Sequence, residues 1–339
     1  MGDMFIVGAG LSKEVHCAMP ILRELSQKVS QISKATAASP FPDNFELSLT
    51  YLAQSHPWLP EAENLRNRAT FLELSDAVAR VVDDCVNMAT KTECPDWLTS
   101  LVRSWHASQA SVVTLNYDTL VERAAARGWP NGMGHVKLDC SNLYPVPLAR
   151  AQYRTGPVGI FDNDEPQTTY STFRLIKLHG SSNWFYSGRS DFRGETIYYA
   201  PVYDWRTTWT QHDTWDQQNQ EAVSDKVPLI VPPVTDKIPY FGHETVRSLW
   251  AGAATALRQA DRIYCIGYSL PETDLTMRFL LQSRQDDRAV PFYPVNSASD
   301  AFAHYKSLLP TNRYEVIPYF TPVETAGVSP IHKLVEALA

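Results

Sequence analysis

Short runs of apolar residues alternate along this chain with longer segments in which apolar residues recur at helical spacing. The short runs have the length of buried strands, and most of them stop at a polar or glycine-containing turn. The predicted strands are residues 4–7, 112–115, 174–178, 263–266, 290–295 and 314–318. The helical patterns cover residues 21–32, 120–128, 244–259, 273–284, a stretch from 297, and 331–338. This alternation predicts an α/β fold, a Rossmann-like, doubly wound and mainly parallel sheet with helices on both faces.

Two regions interrupt the alternation, and we interpret them as insertions into one domain that spans residues 1–339. A chain of this length could also hold two domains. The first insertion, about residues 35–108, starts without a clear period. It continues with a helix predicted to begin at the capping box Thr70-Phe71-Leu72-Glu73 and a second helix from Pro95. The second insertion, about residues 183–240, is irregular and rich in aromatic residues, and is predicted to hold a small β element.

Charge and cysteine content narrow the class of protein. Lys and Arg number 30 against 37 Asp and Glu, giving a net charge of −7, whereas proteins that coat nucleic acid are usually basic. No apolar stretch approaches the roughly 20 residues of a membrane span, and the first residues lack the basic start of a secretion signal. The five cysteines form no C-x-x-C pair, so no zinc module is predicted. We expect a cytoplasmic protein that binds neither nucleic acid nor membrane directly.

Polar or glycine-rich clusters follow the ends of five predicted strands. In doubly wound sheets, ligands bind at the carboxyl ends of the strands, so these clusters are the candidate site. Each cluster also has an ordinary structural interpretation as a tight turn, a helix N-cap or a buried structural histidine. The clusters are Gly8-Ala9-Gly10-Leu11-Ser12, Thr114-Leu115-Asn116-Tyr117-Asp118, Leu178-His179-Gly180, Ile266-Gly267-Tyr268-Ser269 and Val295-Asn296.

Taken in order, these five clusters resemble the signature of the sirtuin family and its divergent bacterial relatives. Pro232-Pro233 with Lys237 is similar to a segment common in those relatives. Protein-deacylating sirtuins carry a four-cysteine zinc module after the histidine, and this sequence has no cysteine between Cys140 and Cys265. The segment Met19-Pro20-Ile21-Leu22-Arg23 also differs from the deacylase pattern, which puts Arg23 in doubt as a ligand contact. The better resemblance is to the sirtuin-like NAD hydrolases, many of which act in bacterial anti-phage defence.

The resemblance implies a function and a role for each matched residue. The implied enzyme is an NAD glycohydrolase (NAD+ nucleosidase) that cleaves NAD to nicotinamide and ADP-ribose, with NAD as substrate and no cofactor. Asn116 would hold the nicotinamide ribose and a water molecule, His179 would be the general base, and Asp118 would orient the pocket or contact the nicotinamide amide. The residues expected to bind the phosphates are Gly8, Ala9, Gly10, Ser12, Gly267 and Ser269. Asn296 would bind the adenosine ribose.

Other functions stay open at the level of sequence. A sensor that binds NAD or ADP-ribose without turnover would need neither Asn116 nor His179, and a residual deacylase or ADP-ribosyltransferase would need a peptide or protein substrate. An NAD-destroying effector would have to be silent until triggered. We therefore expect residues 70–108, with Trp97 and Trp105, to mediate self-association or contact with a second defence protein that senses the trigger; the alternative is that they complete the core.

Overall fold

The computed structural model defines two sheets with surrounding helices. It describes residues 2–35, 40–41, 43–126, 142–150, 171–187, 195–202, 205, 226–235, 237–285, 288–297, 301–318 and 329–338. The elements in chain order are β1 (Gly2–Val7), α1 (Ala9–Val15), α2 (Leu22–Ile32), α3 (Phe45–Ala53), α4 (Glu61–Ala89), α5 (Asp96–Ala107), β2 (Ser111–Thr114), α6 (Leu120–Ala126), β3 (Ala149–Arg150), β4 (Arg174–Lys177), β5 (Gly180–Tyr186), β6 (Tyr198–Tyr199), β7 (Val227–Ile230), a 3₁₀ helix (Ile238–Gly242), α7 (Glu244–Gln259), β8 (Ala260–Ile266), α8 (Leu275–Gln282), β9 (Val290–Val295), α9 (Ala301–Leu308), β10 (Tyr314–Val316) and α10 (Pro330–Leu338).

The larger sheet has six parallel strands in the order β10-β9-β8-β1-β2-β4. The chain builds β2 and β4 on one side of β1 and then crosses to build β8, β9 and β10 on the other side. Val7 at the end of β1 therefore lies beside both Thr114 and Ile266, the last residues of β2 and β8. This is the predicted Rossmann-like, doubly wound sheet, and a change of winding direction of this kind creates a crevice at the strand ends.

The core forms around β1, whose last four residues are completely buried apolar side chains. Trp105 of α5 packs between Phe5 of β1 and Phe173, with ring centroids 5.5 and 5.8 Å away. Helix α4 likewise turns an apolar face inward. The apolar faces of α4 and α5 are buried at Phe71, Leu74, Val78, Val81, Val82, Cys85, Leu98, Leu101, Val102 and Trp105. These residues complete the core of the domain, which is the alternative interpretation of residues 70–108.

The prediction that a helix begins at Thr70 is wrong. Helix α4 begins at Glu61, directly after Pro60, and the Thr70 hydroxyl donates to the carbonyl oxygen of Arg66 one turn earlier at 3.0 Å. The Thr-x-x-Glu pattern therefore lies inside a helix. The true start follows Pro60, whose ring fixes the backbone angle φ just before the first helical residue. Residues 45–53, which showed no firm period, form helix α3, capped by the Asn44 side chain.

A smaller sheet follows His179 and has the strand order β3-β6-β5-β7. Strand β5 pairs antiparallel with β7, and Gly180 lies opposite Ile230. Strands β5, β6 and β7 fall mostly in the aromatic region where the sequence predicts a β element. Tyr203, Trp209 and Trp215 of that region lie outside the described residues, as does Gly128 at the predicted end of the helix over residues 120–128. No helix in the described part of the chain is long and apolar enough to cross a membrane.

Candidate functional site

The loops that follow β1 and β8 are in backbone contact through three glycines. Gly10 donates its N–H to the carbonyl oxygen of Gly267 at 2.8 Å, and Gly8 donates to Ile266 at 3.0 Å. Gly267 has φ +59°, and a Cβ atom there would lie 2.4 Å from the backbone nitrogen of Leu11. The glycines are required because only residues without Cβ allow this approach. The N–H groups of Gly8, Gly10 and Gly267 bond within the protein, so the expected phosphate contacts do not include them.

Two side chains of the loop after β2, Asn116 and Asp118, form a hydrogen-bonded group with Ser12 of α1. The amide Nδ2 of Asn116 donates to the carbonyl oxygen of Gly8 at 3.0 Å and to the hydroxyl of Ser12 at 2.9 Å. The Ser12 hydroxyl donates in turn to Oδ2 of Asp118 at 2.6 Å. Asp118 also caps α6, since Oδ1 accepts from the N–H of Leu120 at 3.1 Å. The structure thus brings together Gly8, Ser12, Asn116 and Asp118 from two strand ends.

A buried ion pair between Lys177 and Glu122 holds the backbone of this loop. Lys177, the last residue of β4, donates to the carbonyl oxygen of Asp118 at 2.5 Å and to Oε1 of Glu122 at 2.8 Å. Tyr144 donates to the same carboxylate oxygen at 2.9 Å. Burial raises the pKa of Asp118, while the Lys177 charge and the Ser12 hydrogen bond act in the opposite direction. Lys177 therefore fixes both the backbone and the electrostatic environment of Asp118.

Replacing Lys177 by Met is expected to destabilise the protein by about 3–5 kcal/mol, because it leaves the buried Glu122 carboxylate without its cation. The double variant Lys177→Met/Glu122→Leu removes both charges and is expected to recover most of that loss. Urea unfolding followed by circular dichroism measures both values. A single variant as stable as the wild type would contradict this account of the pair.

A cavity of about 120 Å³ lies beside the Asn116 group. Its polar lining residues include Ser12, Asn116 and Asp118, and most of the lining is apolar. A ligand in the cavity would therefore meet a few polar groups and otherwise be shielded from water. The described residues that line it are Ala9, Ser12, Met19, Pro20, Leu22, Leu25, Val82, Leu115, Asn116, Tyr117, Asp118 and Pro233.

His179 is buried at the end of β4 and is not part of the described cavity lining. The imidazole is hydrogen-bonded to the backbone of Leu115, and its Nε2 atom is buried without a hydrogen-bond partner in the described part of the chain. Burial lowers the pKa of His179 to about 3, and the Lys237 charge also lowers it, whereas Asp274 acts in the opposite direction. The imidazole is therefore neutral near pH 7.

The remaining predicted site residues lie farther along the same sheet edge. Asn296, after β9, donates from Nδ2 to the carbonyl oxygen of Tyr268 at 3.5 Å, which joins it to the loop after β8. Ser269 in that loop is exposed, and Ala9 contributes to the cavity wall. All of the predicted residues thus lie at the carboxyl ends of parallel strands, but His179 and Asn296 do not join the hydrogen-bonded group around Asn116.

Three buried charged residues near the site, Glu122, Lys177 and Asp274, escaped the sequence analysis. A fourth, Lys237, was named there only as part of the segment that follows Pro232-Pro233, and it is also buried. Lys177 offered a signal, because a lysine within the apolar run Leu175-Ile176-Lys177-Leu178 must find a buried partner. Asp274 is the N-cap of α8 and accepts from the N–H of Met277. Its contact with a lysine 37 positions away had no local signal.

Among the described residues, no group of three or more His, Cys, Asp or Glu side chains is placed to hold a metal ion. Cys85, Cys94 and Cys265 are buried and Cys17 is exposed, and none of these four forms a disulfide. Cys140, His135, His212 and Asp139 lie outside the described residues.

No protein-family model matches the chain, and no curated protein matches it. Among solved structures, the chain is similar to a Sir2 enzyme described in work on the mechanism and regulation of that class, with 11% identity and a TM-score of 0.41 over 99% of this chain and 89% of the other. Two further Sir2 structures match at 11% identity and a TM-score of 0.41, over 99% of this chain and 91% of each. One is a mutant with a p53 peptide and NAD; the other holds an inhibitor, 2′-O-acetyl-ADP-ribose and a deacetylated p53 peptide. The function proposed for this chain therefore rests on its own residues.

Proposed function

We propose that this chain is an NAD glycohydrolase that cleaves NAD to nicotinamide and ADP-ribose. The observation that carries the proposal is the meeting of Asn116, Ser12 and Asp118 beside a mainly apolar cavity, at the switch point of a doubly wound sheet. The ordered strand-end clusters, which resemble those of sirtuin-like NAD hydrolases, support the same activity. NAD is the substrate in this proposal, and no separate cofactor is required.

The reaction breaks the bond between C1′ of the ribose and the pyridine nitrogen of nicotinamide. Both electrons of that bond pass to the nitrogen, so the cationic ring leaves as neutral nicotinamide and needs no acid catalyst. A water oxygen forms the new bond to C1′, and one of its protons must be removed. The transition state resembles an oxocarbenium ion, as in other glycoside cleavages. The protein has to hold the ribose, place the water and accept the proton.

The side chains of the site suit these tasks. The Asn116 amide is fixed by two hydrogen bonds, so its orientation is set before a ligand binds. In the proposed mechanism its carbonyl oxygen holds the ribose and the water. Neutral His179 accepts a proton at Nε2 from the water or from a ribose hydroxyl. Ser12 and Asp118 supply polar groups to the cavity lining, and Ser269 and Asn296 bind the phosphate and adenosine ribose portions.

Incubating the purified chain with NAD and identifying the products by mass spectrometry tests this function directly. We expect nicotinamide and ADP-ribose to appear in equal amounts. Binding of NAD without any product would support the sensor alternative, and product formation only with an acylated peptide or a protein acceptor would support a deacylase or ADP-ribosyltransferase. Either result would contradict the proposal.

Treatment with EDTA is expected to leave the rate of NAD cleavage unchanged. The leaving group is already cationic, so the chemistry needs no Lewis acid, and the described residues contain no metal-binding group. The rate before and after chelation, followed by release of nicotinamide, checks this expectation. A reproducible loss that zinc restores would overturn it.

We further propose that the chain is an effector of anti-phage defence, held silent by self-association or by a second protein that senses the trigger. The reason is that unregulated NAD cleavage would kill the cell that makes the enzyme. The inner faces of α4 and α5 are occupied by the core, so such a contact would use other surfaces. Light scattering on the chain, alone and with the product of a neighbouring gene, tests this. A fully active monomer that binds nothing would contradict it.

A further inference from the structure

Helix α4 presents apolar side chains to solvent over its first half. Leu74, on the inner face of the helix, is completely buried in the core. Half a turn around the helix, Leu65 and Leu72 are 61% and 47% exposed. Ala62 and Ala69 lie on the same outer face and are also exposed. This outer face is apolar, whereas the solvent side of a helix at the surface of a domain is ordinarily polar.

The four exposed apolar residues follow a heptad repeat. Residues 62, 65, 69 and 72 are separated by intervals of three, four and three, which is the spacing of positions a and d in a coiled coil. The alanines occupy positions a and the leucines positions d, so the side chains form a stripe about 15 Å long. We name Ala62, Leu65, Ala69 and Leu72 the outer seam.

The second half of the same outer face is polar. Asp76, which would be the next position a, is exposed and forms an ion pair with Arg80 one turn later at 3.0 Å. Asn87, farther along this face, is also exposed. The apolar character therefore belongs to the outer seam and not to the exterior of α4 in general.

An exposed tryptophan lies just before α4. Trp58 is 71% exposed, and its ring stacks on that of His56 with the centroids 4.8 Å apart. His56 stacks in turn on Tyr51 of α3 at 4.2 Å. Asn64 of α4 fixes this segment, because its side chain accepts from the N–H of His56 at 2.9 Å and donates to the carbonyl oxygen of the same residue at 3.1 Å. Trp58 is thus an ordered, exposed aromatic side chain, a type that is enriched among the residues that dominate binding at interfaces.

Charged residues flank the outer seam in an order that suits a second copy of the same helix. Glu61 and Arg68 occupy positions g, and Arg66 and Glu73 occupy positions e; all four are exposed. In a parallel coiled coil, position g of one helix lies beside position e of the next heptad in the other helix. Glu61 of one copy would therefore meet Arg66 of the other, and Arg68 would meet Glu73. Each contact occurs twice by symmetry, and every contact joins opposite charges.

An antiparallel pairing suits these charges less well. It brings positions g of the two copies side by side, so the two Arg68 side chains would face each other near the two-fold axis. Like charges at such a contact are unfavourable. Glu73 uses Oε1 to accept from the Ser33 hydroxyl at 2.7 Å, and its other oxygen can accept from an arginine of a second copy. The charges therefore favour the parallel arrangement.

We propose that the outer seam is a homodimer contact, in which two copies of this chain pair their α4 helices in parallel. Burial of the leucines supplies the attraction, and the flanking charges set the register. The outer seam is only two heptads long, so the dimer forms reversibly as the protein concentration rises. This inference rests on the self-association proposed above and gives it a surface, but it does not depend on NAD cleavage.

Replacing a leucine of the outer seam tests the contact. Leu65→Gln and Leu72→Gln are each expected to weaken dimerisation by a factor of about 10 or more, because each change removes apolar surface from both copies. Met88→Gln alters an exposed apolar residue of the same helix outside the outer seam and is expected to leave the dissociation constant unchanged. Sedimentation velocity of the full chain over a series of concentrations measures all of these constants. The three positions are exposed, so the variants are expected to fold.

Charge reversal tests the parallel arrangement. Arg66→Glu is expected to weaken dimerisation, because it places two carboxylates beside each other at both symmetric contacts with Glu61. The double variant Glu61→Arg/Arg66→Glu restores opposite charges and is expected to recover the wild-type dissociation constant. An antiparallel pair would show no such recovery, because Glu61 and Arg66 lie on opposite flanks of the outer seam.

The outcomes separate this inference from the proposed function. A wild-type chain that stays monomeric throughout the concentration series would overturn the inference, as would a dimer that Leu65→Gln and Leu72→Gln leave unchanged. Failure of the double charge variant to recover would overturn the parallel arrangement. A dimer that Leu65→Gln weakens, in a protein that never cleaves NAD, would support the contact and overturn the proposed activity. A monomeric Leu65→Gln variant that cleaves NAD no faster than the wild-type dimer would support the contact and overturn its silencing role.

Discussion

The variants Asn116→Ala and His179→Ala are each expected to lower the rate of NAD cleavage by a factor of about 10² to 10⁴, while the protein stays folded. Asn116 is the side chain proposed to place the ribose and the water, and His179 is the proposed proton acceptor. Nicotinamide release under saturating NAD measures the effect. The size of the loss follows from positioning and proton transfer, which are the two contributions that the reaction requires from the protein.

Matched controls separate this effect from loss of structure. Asn87→Ala changes an exposed asparagine of α4, and His106→Ala changes a histidine of α5 that contacts Thr172. Both controls are expected to keep the wild-type rate. Asn116→Ala also removes two hydrogen bonds, so its thermal unfolding has to be measured beside its activity. Turnover at the wild-type rate in a folded Asn116→Ala/His179→Ala double variant would show that the catalytic assignment is wrong.

Gly180→Ala is expected to prevent folding or to cost at least about 3 kcal/mol of unfolding free energy. Gly180 has φ +75°, and a Cβ atom there would lie 2.0 Å from the carbonyl oxygen of Leu229 in the neighbouring strand. Neither the strained backbone nor the overlap with a backbone atom can be relieved by moving a side chain. Because Gly180 follows His179, the same change would displace the proposed proton acceptor.

Gly252→Ala provides the control for this prediction. Gly252 lies within α7, where the nearest atom that the described residues outside the helix backbone place by an added Cβ is Cδ1 of Ile176 at 4.0 Å. Alanine is a better helix former than glycine, so this change is expected to stabilise the protein by about 0.5–1 kcal/mol. Chemical denaturation of the two variants and the wild type gives both values. A Gly180→Ala protein as stable as the Gly252→Ala protein would refute the role given to Gly180.

The central sheet and the edge at which the site lies could be predicted from the amino-acid pattern. Buried parallel strands read as continuous apolar runs, so β1, β2, β4, β8, β9 and β10 could all be predicted. Their alternation with helices implies a parallel sheet, and parallel strands place their carboxyl ends together. Asn116 and His179 could therefore be assigned to one sheet edge before any contact was known. The true start of α4 was missed, because a local capping pattern at Thr70 looks the same inside a helix as at its end.

The contacts that the side chains of that edge make with one another could be known only from the folded structure. The approach of Gly10 to Gly267, the support of Asp118 by Lys177, and the pairing of Lys237 with Asp274 all join positions that are far apart in the chain. Such contacts have no periodicity, so no local pattern can predict them. The protonation of His179 has the same origin. Burial and the charge of Lys237 lower its pKa, and both are properties of the folded chain.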